Sequence, residues 1–104
     1  MQTSNLRSIV LTHNHILGLP QDEMEIALTL SAIITLAQHN FANPLVLPVF
    51  VKSFVGDLIL HKLEITKDAD NDFKLKFENI DRVTAYSFMV NLKTFDRIVT
   101  TLNK

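Results

Sequence analysis

The feature that most constrains the fold of this chain is a run from Ile26 to Val51 that contains no charged side chain. The following segment, residues 52–104, carries nine basic and eight acidic residues. An uncharged segment of this length is typical of a protein core, a membrane span or a surface covered by another protein. The two parts of the chain therefore face different surroundings.

Polar residues and prolines interrupt the uncharged run too often for it to span a membrane. A spanning helix requires about 20 consecutive, mainly apolar residues. Here the apolar residues 26–37 are followed by the polar residues 38–40, and Pro44 and Pro48 interrupt the segment beyond them. We therefore expect a buried helix followed by a buried strand, and no membrane partner.

Length and composition predict one globular domain over residues 1–104. A hydrophobic content of 47% with 2 Gly and 3 Pro is unlike the composition of disordered chains. Cysteine is absent, which excludes disulfides and thiolate sites. The polar N-terminal residues lack the pattern of a secretory signal, so we expect a cytoplasmic location.

The charge balance indicates which partners to expect. The formal net charge is −1, so no strong field attracts a polyanion. On the predicted exposed face of a hairpin, Lys62, Lys74 and Lys76 alternate with Glu64 and Glu78. This pattern is typical of a solvated sheet face, because a nucleic-acid site needs aromatic and basic side chains together. We therefore expect no nucleic-acid partner.

The strongest helix prediction covers residues 21–39. Pro20 suits a first-turn position, and Asp22, Glu23 and Glu25 complement the positive end of a helix dipole. Apolar residues lie nearly all round this helix, which a chain of 104 residues has difficulty enclosing. Self-association would resolve that conflict.

Residues 5–17 permit two interpretations. As a helix, they place Leu6, Ile9 and Leu17 on one face, and Gly18 is suited to end it. As a strand, the β-branched run 7–12 is also plausible. We favour the helix.

The second half of the chain shows the two-residue period of strands. Apolar residues alternate with polar ones over 59–66 and 73–78, and the polar turn 67–72 joins these segments. Strands are also expected at 45–51 and 86–92, and Thr94 is the expected cap of a last helix. The predicted fold class is α+β: an antiparallel sheet of about four strands, packed on one face by a long apolar helix and a C-terminal helix.

Few residues are candidates for site chemistry. His13 and His15 could share a metal ion if they lie on a strand, but ordinary hydrogen bonding is the more frequent role of such histidines. Residues 68–72 resemble the start of a calcium loop, yet Phe73 occupies the position that needs glycine, and a hairpin turn is favoured. No glycine-rich phosphate loop is present. We expect no metal, no cofactor and no catalytic residue.

The leading functional hypothesis is a non-enzymatic protein-interaction module, either a self-associating subunit or a small regulator or inhibitor of a larger protein. We expect a homodimer, because the uncharged segment holds more apolar area than one chain should conceal. The predicted interface consists of apolar residues of this segment: Leu28, Ala32, Leu36, Phe41, Val49 and Phe50. The alternative is a small-molecule binding domain or simple enzyme, with His13, His15 or His61 in a pocket between helix and sheet.

Overall fold

A computed structural model of the protein describes residues 6–13, 22–53, 55–79, 81 and 84–104. The described strands form one antiparallel sheet in which neighbours in sequence are neighbours in space, and the sheet curls into a half-barrel. The elements, in chain order, are β1 (Leu6–His13), β2 (Asp22–Thr29), α1 (Leu30–Gln38), β3 (Leu45–Lys52), β4 (Leu58–Lys67), β5 (Phe73–Asn79), β6 (Thr84–Val90) and α2 (Leu92–Leu102).

The predicted sheet of about four strands under a long apolar helix is wrong. The described sheet has six strands, and α1 and α2 are short helices of 9 and 11 residues. The two additional strands come from the N-terminal third of the chain, where helices were favoured. The error therefore concerns residues 6–13 and 22–29, and the strands predicted in the second half of the chain are present.

The preferred helix over residues 5–17 is wrong for the part that the structure describes, since residues 6–13 form β1 and the strand interpretation was correct. The helix predicted over 21–39 begins only at Leu30. Before it, Met24, Ile26 and Leu28 alternate with two glutamates in β2. Pairing of β1 with β2 over eight residue pairs outweighs the modest helix propensities of these residues.

The second half of the chain forms the strands that its two-residue alternation predicts. The hairpins β3–β4 and β4–β5 pair antiparallel over their whole lengths. Gly56, with a φ of +92°, lies in the β3–β4 turn. The last helix is present, but Asn91 rather than Thr94 is its cap: the Asn91 side chain accepts a hydrogen bond from the Thr94 backbone N–H at 2.8 Å.

The core lies on the concave inner face of the sheet and is covered by both helices. Helix α1 packs against β2 and β3, and α2 contacts α1 and β1. The buried residues of α2 are Phe95, Ile98 and Leu102, which share one helical face. The largest fully buried side chains are Phe77, Leu28, Ile33, Ile65, Leu102 and Val49.

Neither described helix has the length and apolar character needed to cross a lipid bilayer.

Candidate interaction surface

The convex outer face of the sheet carries a group of apolar side chains where β3 meets β4. We call this group the apolar patch. Val46, Leu58 and Leu60 are 54%, 46% and 45% exposed, which is high for side chains of this size. The other two members are the exposed Pro48 and the half-buried Phe50.

Strand alternation and the β3–β4 register place these five residues together. Leu47 and Val49 of β3 face the core with their β4 partners, so the residues between them must face outward. Phe50 is opposite Leu60 in this register. This pair is the apolar centre of the patch, since Val46, Pro48 and Leu58 are each opposite a charged residue.

Pro48 lies inside β3, a strand with neighbours on both sides. Proline cannot donate a ladder hydrogen bond, so it is normally confined to strand edges. Described pairing of β3 with β2 is limited to two residue pairs, at Val51 and Phe50. Pro48 lies beyond these two pairs, where β3 does not need a backbone N–H to donate to β2.

Charged residues border the apolar patch. At one end the Lys52 Nζ lies 3.7 Å from a Glu25 carboxylate oxygen. Beside Pro48 the Lys62 Nζ lies 3.0 Å from a Glu78 carboxylate oxygen. The hydrogen bond and positive charge of Lys62 lower the pKa of the Glu78 carboxyl, and Lys76 adds a smaller effect in the same direction. With Glu64, which is opposite Val46, the border carries two positive and three negative charges.

The outer face beyond Lys62 is polar. Lys76 of β5 is opposite Glu64 of β4 on one side and Ser87 of β6 on the other. Met89 is the large apolar side chain in this region, at 49% exposure, and its β5 partner is Lys74. We call this region, formed by Lys62 and Glu64 of β4 and the outward residues of β5 and β6, the charged half of the outer face.

The apolar patch is continuous with a shallow depression of about 160 Å³. Val46, Pro48, Leu60 and Lys62 line it from the outer face. Its open shape is unlike the enclosed cavity that buries a small ligand. Such a surface is better suited to contact with another protein surface.

The six residues predicted as an interface do not form one surface. Leu28, Ala32, Leu36 and Val49 are between 0% and 5% exposed, because the core of a single chain already encloses them. Phe41 is half-buried near α2, and Phe50 alone of the six belongs to the apolar patch. The uncharged segment is thus divided between the two faces of the sheet.

The outward members of the patch that the prediction missed are Val46, Pro48, Leu58 and Leu60. A signal for them was present in the sequence: once Ile59, Leu63 and Ile65 are taken as the inward residues of β4, Leu58 and Leu60 must face outward. The outward apolar side chains are therefore identified by the alternation of inward and outward residues along a strand, and not by the absence of charged residues.

Other exposed apolar side chains are more scattered in the described part of the chain. Leu30 and Ile34 form a pair one turn apart on α1. Val10, Val55 and Leu92 lie on three different segments. Single exposed apolar residues are ordinary in soluble proteins.

Of the three histidines proposed for a pocket, the structure describes the side chain of His61. His61 is 6% exposed, on the inner face of β4, and its Nδ1 lies 3.0 Å from the Ile59 carbonyl oxygen. The side chain of His13 and all of His15 lie outside the described residues. Across the strand pair, His61 is opposite Asn79, the other buried polar residue of the described core.

A groove of about 330 Å³ lies between α1 and α2, above an aromatic cluster. Phe73 and Phe95 stack with ring centroids 3.9 Å apart, and Phe41 meets both rings edge-on. Phe41 has a φ of 61°, and its backbone N–H donates to the His39 Nδ1 at 2.9 Å. Since Phe73 and Phe95 are almost fully buried, the cluster closes one end of the core and offers little ring surface to a ligand.

The acidic segment 68–72 forms a hairpin turn. The Asp68 carboxylate accepts hydrogen bonds from the backbone N–H groups of Asp70 and Asp72 at 2.9 and 3.0 Å. Asn71 adopts the left-handed conformation, with a φ of 65°. Over the described residues no group of three or more potential ligands is arranged to hold a metal ion.

Comparisons with protein-family models, with curated proteins and with solved structures found no match to this chain. Inferences about function therefore depend on the surface and core described above.

Proposed function

We propose that this chain is a non-enzymatic protein-interaction module that forms a homodimer through the apolar patch. The observation that supports this most directly is the exposure of Val46, Leu58 and Leu60 on one sheet face, beside Phe50 and Pro48. Burying apolar area stabilises an association by about 25 cal/mol per Å². A second copy would supply that burial.

The size of the patch sets the expected strength of association. Five outward positions on two adjacent strands cover roughly 160 Å², given about 6.7 Å between same-face residues and about 4.8 Å between strands. Stable interfaces bury about 800 Å² on each partner, so the patch would be the apolar centre of an interface whose rim is polar. We therefore expect a weak dimer with a dissociation constant in the micromolar range.

The charged border favours a second copy over a strongly charged partner. Glu25 and Lys52 lie at one end of the patch, Lys62 and Glu78 lie beside Pro48, and Glu64 lies at the Val46 end. A two-fold axis across the strands exchanges the two ends, so the Lys52 end of one copy would approach the Glu64 end of the other. The net charge of −1 adds little repulsion between copies.

Sedimentation velocity over a wide concentration range tests the proposal, with Leu60→Asp and Met89→Asp as a matched pair of variants. Both residues face outward and are similarly exposed, at 45% and 49%, but only Leu60 belongs to the patch. We expect the native chain and Met89→Asp to dimerise with similar affinity. Leu60→Asp should weaken dimerisation at least about 30-fold, because a charge would be buried against apolar groups.

Circular dichroism and thermal unfolding of both variants provide the folding control. A native chain that stays monomeric up to millimolar concentration would overturn the proposal. Equal dimerisation of the two variants would place any dimer contact elsewhere and would also overturn it.

The cellular context forms a further part of the proposal. A homodimer of this kind would act in the cytoplasm as a subunit or small regulator of a larger protein. Imaging of a fluorescent fusion tests the location: exclusion from the cytoplasm would contradict it.

A further inference from the structure

The half-barrel is open between its two edge strands, and α2 lies across this opening. A groove of about 240 Å³ is lined on one side by residues 9–11 of β1 and on the other by Val90 at the end of β6. Residues of α2, among them Arg97 and Ile98, form its floor. The C-terminal end of α2 is tied to β1 by a hydrogen bond from the Arg7 guanidinium to the Lys104 carbonyl oxygen.

One wall of the groove is a regular strand edge. All eight residues of β1 pair with β2, so the strand is extended along its whole length. No described strand pairs with the opposite edge of β1. Natural edge strands are often protected by charged side chains, proline or a bulge. In β1 the charged side chain is Arg7, near the start of the strand, where it donates to the Lys104 carbonyl oxygen, and the strand contains no proline. Its backbone is therefore suited to accept one more antiparallel or parallel strand.

The floor of the groove is polar on one side of α2. Thr94, Arg97 and Thr101 recur at three- and four-residue spacing, so they share a helical face next to the buried face of α2. Arg97 is exposed and forms no ion pair within the described chain. Its guanidinium would favour a carboxylate, with two parallel hydrogen bonds available.

We propose that this groove binds an extended, acidic segment of a partner protein as a seventh strand. The segment would pair with the free edge of β1 through backbone hydrogen bonds and direct one carboxylate toward Arg97. Aliphatic residues on either side of that carboxylate would project from the opposite face of the added strand, beside the exposed Val10. This is strand addition to an exposed edge, in which the backbone supplies affinity and one side chain supplies selectivity.

The site is independent of the apolar patch. The patch lies on the outer face of β3 and β4, whereas the groove uses the edge of β1 and the flank of α2. Loss of dimerisation should therefore leave segment binding intact. The Leu60→Asp variant separates the two proposals.

The probe is a synthetic peptide of about nine residues, in which threonine and valine alternate around a central glutamate, labelled with fluorescein. Fluorescence anisotropy measures its affinity, and ¹H–¹⁵N correlation spectra report which backbone amides shift. We expect shifts at the amides of Ile9, Leu11 and neighbouring β1 residues. A peptide with glutamine at the centre should bind about fivefold more weakly, because the charged partner of Arg97 is missing.

Two variants separate Arg97 from general positive charge. Arg97→Gln should abolish the preference for the glutamate peptide over the glutamine peptide. Lys93→Gln, an exposed residue of α2 outside the groove lining, should leave that preference unchanged. A peptide with N-methyl groups on alternate backbone nitrogens should bind at least about tenfold more weakly, because it cannot complete the ladder.

Three results would overturn the proposal. The first is an absence of β1 amide shifts at millimolar peptide. The second is equal affinity for the glutamate and glutamine peptides, and the third is full binding by the N-methylated peptide. Binding by Leu60→Asp at native affinity would support the groove even if the native chain proves monomeric.

Discussion

The two halves of the outer sheet face are built by the same kind of strand but have opposite surfaces. Around β3 the outward residues are apolar, as at Val46, Pro48 and Phe50. Around β5 they are charged, as at Lys74, Lys76 and Glu78. The inner residues of both strands are equally buried, with Val49 and Phe77 each 0% exposed.

This difference shows that the core does not require apolar side chains at the outward positions. Lys76 and Glu78 show that charge is compatible with the outer face of this sheet. The strand architecture of the outer face therefore does not by itself require apolar residues on β3 and β4. Their chemistry is best explained by contact with something outside the single chain, and we propose a second copy.

The largest expected effects come from the core beneath each half. Phe77 lies beneath the charged half, and Leu28 of β2 lies on the side of the apolar patch. The substitutions Phe77→Ala and Leu28→Ala each remove buried atoms from the core. Each should lower the free energy of unfolding by about 2–5 kcal/mol, since both side chains are almost fully buried. Urea denaturation measures this. A loss below about 1 kcal/mol for only one of them would show that the two halves do not share one core.

A charge added to each outer half should have unequal effects on association. Val46→Lys should raise the dimer dissociation constant at least about tenfold, because an ammonium group would have to be desolvated in the interface. Ser87→Lys, in the charged half, should change it less than about twofold. Sedimentation equilibrium measures both constants, and thermal unfolding checks that each variant is folded. A larger effect from Ser87→Lys would move the interface to the charged half.

Salt separates apolar association from charge-driven association. Between about 0.05 and about 0.5 M NaCl the dissociation constant should change by less than about threefold, because apolar burial is weakly sensitive to screening. An interface formed by the charged half would weaken much more over the same range. Light scattering across a salt series distinguishes these outcomes.

The smallest effect concerns the border between the halves. The pKa of Glu78 is lowered by Lys62, so the pair stabilises the folded chain above the ordinary carboxyl pKa. That contribution is lost as the pH falls through the lowered folded-state pKa. Lys62→Met should raise the pKa of Glu78 toward its ordinary value, as measured by carboxyl ¹³C chemical shifts during a pH titration. An unchanged titration would mean that the pair is absent in solution.

Sequence patterns predicted the second half of the fold well and the first third poorly. Over β4 and β5 polar and apolar residues alternate cleanly, so strand phase and register follow from the pattern. Over β2 the residues Glu23, Met24 and Leu28 are good helix formers, and helical and strand periods both fit a short apolar segment. Pairing with β1 is what makes this segment a strand and not a helix.

The candidate surface illustrates the same limit. Absence of charge from Ile26 to Val51 was the basis for predicting an interface there, and of the six residues named Phe50 alone lies in the apolar patch. Leu28 and Leu36 were assigned to the surface although the core encloses them. The groove at Arg97 had no sequence signal, because its lining comes from β1, β6 and α2.

By itself the sequence determined the composition of the chain, the alternating strands of its second half and the amphipathic last helix. These properties depend on residues close together in the chain. The tertiary structure decided that residues 22–29 form a strand, which strands bring their outward apolar residues together, and where the sheet remains open. Those outcomes depend on pairing between distant segments, whose burial and hydrogen bonds outweigh local propensities of less than about 1 kcal/mol per residue.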